Sequence, residues 1–400
     1  MPVPTQQRLT INERSYHPFI RELARFETTR ELEGSDLYRK LKTDIDSLLE
    51  EVWQEQLVDA PKPLLAENNI SAVAWNIERG IRADAVARLF REHPALNHAD
   101  VLLLSELDWG MARTGNRFIA RDLAEAIGMN YAFAPCYIAL TKGAGIEKNV
   151  AGENQESLHG NALFSRFPIE RTHSLPLPNG KDKMRGAEKR IGCQRAVIAD
   201  VQHPRGIFRA VSLHLDAHSS QRHRYLQMRQ LLDHLDSLRP RIPTLIGGDW
   251  NTTTHNASRA ICSILGYFRR VSMGVRHVVA NHYPYPERWF ERRLFHELER
   301  RSFEYKKLNK PGECTLHYDV RDIAANLNMG EWVPHWCFWF INWALQRTGG
   351  TCSMKLDWFA GFGIQAEQPA SVISGLMDDG RPVSDHDPIA LTFCVAPTSR

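Results

Sequence analysis

The 400-residue chain has no marked excess of either charge: 50 lysines and arginines stand against 47 aspartates and glutamates, a formal net of +3 at pH 7. A general polyanion binder has a more lopsided balance, so any nucleic-acid contact must come from a local patch. It has no cysteine pattern either. The seven cysteines (136, 193, 262, 314, 337, 352 and 394) are scattered, odd in number, and free of CxxC or Cys/His spacing. This argues against a disulfide framework and a structural zinc, and for reduced thiols in a cytoplasmic setting. No apolar window is long enough to span a membrane, and Met1-Pro2-Val3-Pro4 opens without the apolar core of a signal peptide. Internal repeats and low-complexity tracts are missing too. What is present is 43% apolar residues, ample for a large core in one big domain or two.

Residues 1–67 predict a helical extension. Leu37, Leu41, Ile45, Leu48 and Val52 recur at three and four, with Ser35 as a cap. Pro61 and Pro63 mark the break, and residues 68–396 form the main domain. Strands are expected at Ile70 to Trp75, Asp100 to Leu104, Tyr131 to Pro135 and Ala162 to Phe164, and helices at Ala83 to Arg91 and Phe118 to Ile127, the latter stopped by Gly128. Arg195 to Val201 and Phe208 to Leu215 read as a hairpin, followed by a helix over Ser220 to Leu238. Pro243 to Asp249 is then a strand climbing through Gly247-Gly248 to Asp249-Trp250-Asn251, with a Thr252-Thr253-Thr254 turn behind it. Adjoining hairpins exclude a purely parallel doubly wound sheet; mixed sheets covered by helices fit better.

Polar residues recur where apolar strands end: Asn76 and Glu78, Glu106, His214, Asp249 and Asn251, then Asp357, Asp385 and His386 near the C-terminus. Any one of them also fits a strand-end turn or a helix cap. Together they supply only carboxylates, amides and imidazoles. Clustered carboxylates and amides are hard oxygen ligands suited to Mg²⁺ or Mn²⁺. With no serine or cysteine nucleophile beside the histidines, water is the expected attacking group.

In this order the segments WNIERG, SELD, HGNALFSRFPI, SLHL, GGDWN, LDWF and SDHDPI resemble the endonuclease/exonuclease/phosphatase superfamily of metal-dependent phosphoesterases, over about residues 70 to 395. The resemblance implies a four-layer α/β/β/α sandwich, two mixed sheets flanked by helices, here with an N-terminal helical extension and a helical insertion. It implies Glu106 as principal metal ligand, assisted by Asn76 and Glu78, with Asp385 as a further metal- or phosphate-side carboxylate. Asp249 resembles the water-activating residue and Asn251 a phosphate contact. Asp357 and His386 resemble the family's carboxylate–histidine pair. Arg195, and Asn161 of the HGNALFSRFPI segment, are the expected substrate contacts. His214 resembles a group shared by pancreatic-type deoxyribonucleases, neutral sphingomyelinases and inositol-phosphate phosphatases, where it bonds phosphate or protonates the leaving oxygen. Ser105 stands where the family usually has Gln, and the Lys that apurinic endonucleases often place after the Glu is missing. Abasic-site repair is therefore disfavoured.

A nuclease-like phosphodiesterase is the first expectation. A sphingomyelinase-like lipid phosphodiesterase, an inositol or phospholipid phosphatase, and a non-catalytic scaffold of the same fold are the alternatives. The insertion, about 276–350, is the least family-like part. Its first half is basic (Arg288, Arg292, Arg293, Arg300, Arg301, Lys306, Lys307, Lys310), and its second carries Trp332, Trp336, Trp339 and Trp343 on one helical face. That stripe either packs onto the domain or forms a lid or docking surface. Basic residues beside aromatics suit single-stranded nucleic acid and an anionic membrane surface equally. The Arg113-to-Arg117 loop reads as a phosphate cradle or as a solvated turn.

Overall fold

The structure is a computed structural model describing residues 17–58, 69–204, 206–252, 256, 260–321 and 335–395. Trp332, the Thr253-Thr254 turn and the Pro61–Pro63 break lie outside the described residues, as does the side chain of Trp336.

Three short or medium helices lead in: α1 (Ile20–Leu23), α2 (Thr29–Gly34) and α3 (Asp36–Glu50). Ser35 caps α3 by accepting from the Tyr38 amide, and the apolar stripe buries Leu41, Ile45 and Leu48. The segment is not wholly helical, because β1 (Trp53–Glu55) pairs with the main sheet.

Two mixed sheets follow. The first contains β2 (Ile70–Asn76), β3 (Val101–Trp109), β4 (Asn130–Ala139), β5 (Leu158–Ser165), β7 (Arg190–Gly192), two-residue strands β14 (Ile364–Gln365) and β15 (Ser371–Val372), and β18 (Ile389–Val395). Its order is β1-β4-β5-β3-β2-β18-β14, with β2 and β3 parallel and the remaining neighbours antiparallel. The second contains β6 (Ile169–Leu177), β8 (Gln194–His203), β9 (Gly206–Ser212), β10 (Thr244–Asp249) and β13 (Asp357–Phe362), ordered β13-β10-β9-β8-β6. β11 (Leu316–Asp319) with β12 (Thr351–Met354), and β16 (Met377–Asp378) with β17 (Arg381–Pro382), are small separate ribbons.

Side-chain alternation along the strands builds the layers. On β2, Ala72 and Ala74 face the second sheet, meeting Val197, Ala199 and Phe359, while Val73 and Trp75 face outward. That outward face packs on α3, α4 (Ala83–Glu92) and α5 (Ile119–Ile127) through Ile45, Phe90 and Leu123. The outer face of the second sheet, with Ile198, Ile246 and Trp358, packs on α6 (Gln221–Ser237) and α9 (Arg292–Arg300) through Leu231 and Phe295. Helices, sheet, sheet and helices make the four layers. α7 (Ala260–Ser272) precedes the expected start of the insertion, to which α8 (Val275–Asn281) and α10 (His335–Leu345) belong.

Two expectations are corrected. β3 does not stop at Leu104 but runs to Trp109, because a register shift between Leu104 and Leu107 absorbs Ser105 and Glu106 as a bulge. The basic half of the insertion is an open basic patch only in part: Arg292, Arg293 and Lys307 are exposed with no ion pair among the described residues, but their neighbours are paired. Arg301 is paired with Asp233, Asp236 and Glu297, Arg300 with Glu297, Lys306 with Glu299, and Lys310 with Glu313. The opposite face of α9 buries Leu294, Phe295 and Leu298 in the core.

Candidate functional site

The ends of β2, β3, β10 and β13 bring the strand-end residues together. Asp249 and Asp357 are direct partners across the antiparallel β10–β13 pair. Gly248, at φ +140°, lets the chain pass beneath the Leu213 carbonyl, where a Cβ would come within 2.1 Å. Beyond it Trp250 turns into the outer core while Asn251, at φ +50°, turns back. The Asn251 amide N–H donates to Asp249 Oδ1 (2.8 Å), and its side chain donates to Asp249 Oδ2 (3.1 Å) and the Leu215 carbonyl (3.0 Å).

From the other sheet, Asn76 Nδ2 lies between two carboxylates, 3.2 Å from Glu106 Oε1 and 3.2 Å from Asp249 Oδ2. Ser384 ties this strand to the C-terminal segment by donating to the Asn76 carbonyl (2.6 Å). His386 Nδ1 meets Asp357 Oδ2 at 2.8 Å, and its Nε2 lies 3.8 Å from Asp249 Oδ2. His214, two residues beyond the end of β9, places Nε2 3.5 Å from the same oxygen. Its buried Nδ1 and Asp357 Oδ1 have no hydrogen-bond partner among the described residues.

Backbone strain is concentrated here. Glu78, Arg79, Glu106 and Asn251 all have positive φ (46°, 63°, 60° and 50°), a region that disfavours L-residues unless the surroundings impose it. The bulge at Glu106 is held by the Asn161 side chain, which accepts from the Glu106 amide (3.3 Å) and donates to the Arg195 carbonyl (2.9 Å).

The electrostatics divide the carboxylates. Burial pushes Glu106 up, but Arg79, His214 and His159 outweigh it and hold the group below the usual carboxylate range. Burial with repulsion from Asp385 and Glu106 lifts Glu78 to about 7. Desolvation by its neighbours raises Asp385, with Glu106 adding to it, although the residue is exposed at the rim; burial raises Asp249, with Asp357 adding to it. Burial would lower His386, but Asp357 and Asp249 hold it well above its ordinary value, so it is an imidazolium. Facing carboxylates that repel one another, with unpartnered buried polar atoms beside them, are the donor set of a hard divalent cation.

All eleven expected site residues have defined places, and nine belong to this constellation: Asn76, Glu78, Glu106, His214, Asp249, Asn251, Asp357, Asp385 and His386. Asn161 and Arg195 stand behind it. The Asn161 amide is engaged by backbone groups, and the Arg195 guanidinium donates to Ser174 (2.9 Å) while its buried Nε is unpartnered. Sequence reasoning missed three supports. Arg79 is buried beside Glu147 at 3.2 Å, although it lies inside the WNIERG segment. Thr315 Oγ1, from the insertion, accepts from the amides of Leu356 and Asp357 (3.2 Å each), brought there by the Leu316–His386 bridge. Asp108 and His159 form a buried pair at 2.9 Å. The Arg113 loop is no phosphate cradle, because Arg113 is buried and bound to Asp108 (2.6 and 2.9 Å), Glu147 and Glu188.

The family model described as Endonuclease/Exonuclease/phosphatase family matches residues 73–353, more than half of the chain. The chain belongs to this family. Its fold is similar to that of an endonuclease/exonuclease/phosphatase from Beutenbergia cavernae DSM 12333, at 15% identity and TM-score 0.50, covering 82% of this chain and 72% of that one. The 3'-5' exonuclease NExo from Neisseria meningitidis aligns at 15% identity and TM-score 0.45, covering 80% and 98%. The human Nocturnin catalytic domain with bound sulfate aligns at 13% and 0.43, covering 86% and 96%. No curated protein matches. Family membership makes the chain a phosphoesterase by kind, of the nuclease and phosphatase group.

Proposed function

We propose that this protein is a divalent-metal-dependent phosphodiesterase, nuclease-like in mechanism, in which Asp249 activates water. The observation that carries the reading is the buried cluster of Asp249, Asp357 and His386, whose ligand atoms lie within 4.8 Å of one another, facing Asn76 and Glu106 from the other sheet. Those three residues are themselves close enough to hold an ion. The short His386–Asp357 bond and the charged imidazole argue against that, since a cation there would have to displace a proton. We assign the ion instead to Glu106, Asn76, Glu78 and Asp385, where three carboxylates crowd one another despite Arg79 beside them. Mg²⁺ or Mn²⁺ bound there supplies neutralisation of the phosphate and of the leaving oxygen.

The chain's own groups do the rest. Asp249, a stronger base for being raised by burial and by Asp357, and oriented by Asn251, accepts the proton of water as its carboxylate. Asp357 fixes the His386 tautomer and its charge, so that Nε2 donates to a phosphate oxygen. His214, with its Nδ1 unpartnered, is placed to bond phosphate or to protonate the leaving group. Asn251 contacts the phosphate, the unpartnered Arg195 Nε offers a further donor to it, and Asn161 acts by holding the Glu106 bulge. A cytoplasmic setting agrees with the six described cysteines, all free.

The purified protein should hydrolyse bis-p-nitrophenyl phosphate with Mn²⁺ and lose the activity to EDTA. Asp249→Ala and His386→Ala should each lose about a thousandfold or more; full turnover in either variant would sink the mechanism. Single-stranded DNA, plasmid, RNA, sphingomyelin and inositol phosphates, each with Mn²⁺ and with EDTA, separate a nuclease from a lipid phosphodiesterase or an inositol or phospholipid phosphatase. An absence of Mg²⁺ or Mn²⁺ binding at millimolar concentration would favour a scaffold instead.

A further inference from the structure

The insertion and α7 just ahead of it expose apolar side chains. On α7, Ile261, Ile264, Leu265 and Phe268 are all exposed, at spacings of three, one and three that put them on one helical face. On α10, Trp339, Phe340 and Trp343 are exposed, Trp339 to 66%. The Tyr267 hydroxyl donates to the Phe340 carbonyl at 2.8 Å, so the two helices lie side by side. Beneath them Tyr318, Leu345 and Cys352 form a small core of their own with Val275, Val279 and Ile341. This core supports α10 through Ile341 and Leu345, and α8 through Val275 and Val279, without covering the exposed side chains. Seven of the thirteen large apolar residues exposed among the described residues lie on these two helices. A soluble surface scatters such residues singly; a contiguous set marks an interface.

Charge selects the occupant. From Asn251 to Pro286 the sequence has no aspartate or glutamate, but has Arg259, Arg269, Arg270 and Arg276. From Trp332 to Leu356 it again has no acid, with Arg347 and Lys355. The Arg347 guanidinium lies 5.5 Å from the Trp343 ring centroid, joining the cationic margin to the aromatic face. Two helices that present Trp, Phe and Leu outward, with arginine as their only charge, have the composition of elements that lie in a bilayer interface. No helix among the described residues is long and apolar enough to cross a membrane. A nucleic-acid strand would not call for Ile261, Ile264 and Leu265, which offer nothing to stack on.

We propose that the α7–α10 face docks on an anionic phospholipid bilayer, with Phe268, Leu265, Trp339 and Trp343 entering the headgroup–acyl boundary and the arginines meeting lipid phosphates. β11, whose Leu316 bridges His386, joins this subassembly to the end of the sandwich that bears the candidate site. Docking therefore sets the site close to the membrane. The inference is independent of the hydrolytic reading: vesicle partition reports the first, and turnover of a small soluble ester reports the second.

The test is flotation of the full chain with phosphatidylcholine vesicles containing about 30% phosphatidylglycerol, compared with pure phosphatidylcholine. Binding to the anionic vesicles is expected, weakened about tenfold on neutral vesicles or in 1 M salt. The double variant Phe268→Ser/Trp339→Ser should bind at least about tenfold more weakly, with unchanged melting and small-ester turnover, because both side chains are exposed. Arg269→Glu should weaken anionic binding and leave neutral binding alone. The proposal is overturned if the wild type binds anionic vesicles no better than the double variant. It is equally overturned if the wild type is a dimer in solution that the double variant splits, or if these substitutions abolish oligonucleotide binding while sparing vesicle binding.

Discussion

Glu106 and Asp108 lie two residues apart on β3, yet they belong to two different kinds of charge cluster. Asp108 is fully partnered, with two hydrogen bonds from Arg113 and one contact to His159. Arg113 in turn binds Glu147 and Glu188, and Arg190 closes the far side of Glu188. Every charge there has an opposite. Around Glu106 the balance is different: its side-chain hydrogen bond comes from an amide 3.2 Å away, its backbone is strained at φ +60°, and the nearby acids are raised, Glu78 by burial with Asp385 and Glu106, Asp385 by desolvation with Glu106, and Asp249 by burial with Asp357. Charges of similar type are thus paired one to one in the first cluster, while in the second several acids crowd one ionised Glu106 that Arg79, His214 and His159 offset. Crowded acids cost stability and persist where chemistry needs them.

The largest expected effects separate the two clusters by readout. Asp249→Asn should lower turnover of the chromogenic ester about 10³–10⁴-fold, about 4–5.5 kcal/mol of transition-state stabilisation. Its melting temperature should hold or rise, because the change removes one of two facing carboxylates. Arg113→Met should do the reverse in kind, costing about 3–5 kcal/mol of stability by leaving Asp108 and Glu188 buried without their partner. If Asp249→Asn unfolds the protein, or if Arg113→Met is neutral in denaturant melts, the two clusters do not differ as described.

The insertion, with α7 just ahead of it, shows the same contrast in apolar form. Phe295 on α9 is buried against Trp358, Tyr305 and Trp250, at ring separations of 4.6, 4.7 and 6.0 Å, whereas Phe268 on α7 is 62% exposed. Phe295→Ala should cost about 3 kcal/mol in a urea melt, and Phe268→Ser about 0.5 kcal/mol or less. It follows that residues 276–350 are no removable lid. Excision would take away Leu294, Phe295 and Thr315, and with them both the outer core and the support of Asp357.

How much of this the sequence disclosed follows from period and position. Strands that end in Asn76 or Asp249, or begin at Asp357, show both the sheet and the site, because a strand end has one direction in which to point a polar group. The α9 stripe of Leu294, Phe295 and Leu298 was also visible at helical spacing, but the flanking arginines drew attention to the opposite face. Other features had no local signal. Thr315 reaches the site only because Leu316 pairs with His386, 70 residues away. Positive φ at Glu78, Arg79 and Glu106 cannot be read from residues that ordinarily avoid it. Burial of Arg113 depended on Glu147 and Glu188, which reach it from other loops.

The smallest effect is a pH dependence carried by the paired cluster. Burial pushes Glu188 upward, but Arg113 and Arg190 outweigh it and hold its folded-state carboxyl below the ordinary range. The unfolded chain takes up the proton near its ordinary value of about 4.3. A carboxylate depressed in the folded state contributes stability that is fully present above that value and is lost as pH falls toward the folded one. Stability should therefore decline on acidification from about pH 5 downward. In Glu188→Gln the neutral-pH stability is already lower, because Arg113 and Arg190 lose a counter-charge, but the share of the acid-side slope due to this group disappears. The gap between wild type and variant should therefore narrow as pH falls from about 5 to 3. Thermal melts of both proteins at matched ionic strength read this directly. A gap that stays constant across that window would mean that Glu188 is held by packing and not by its two arginines.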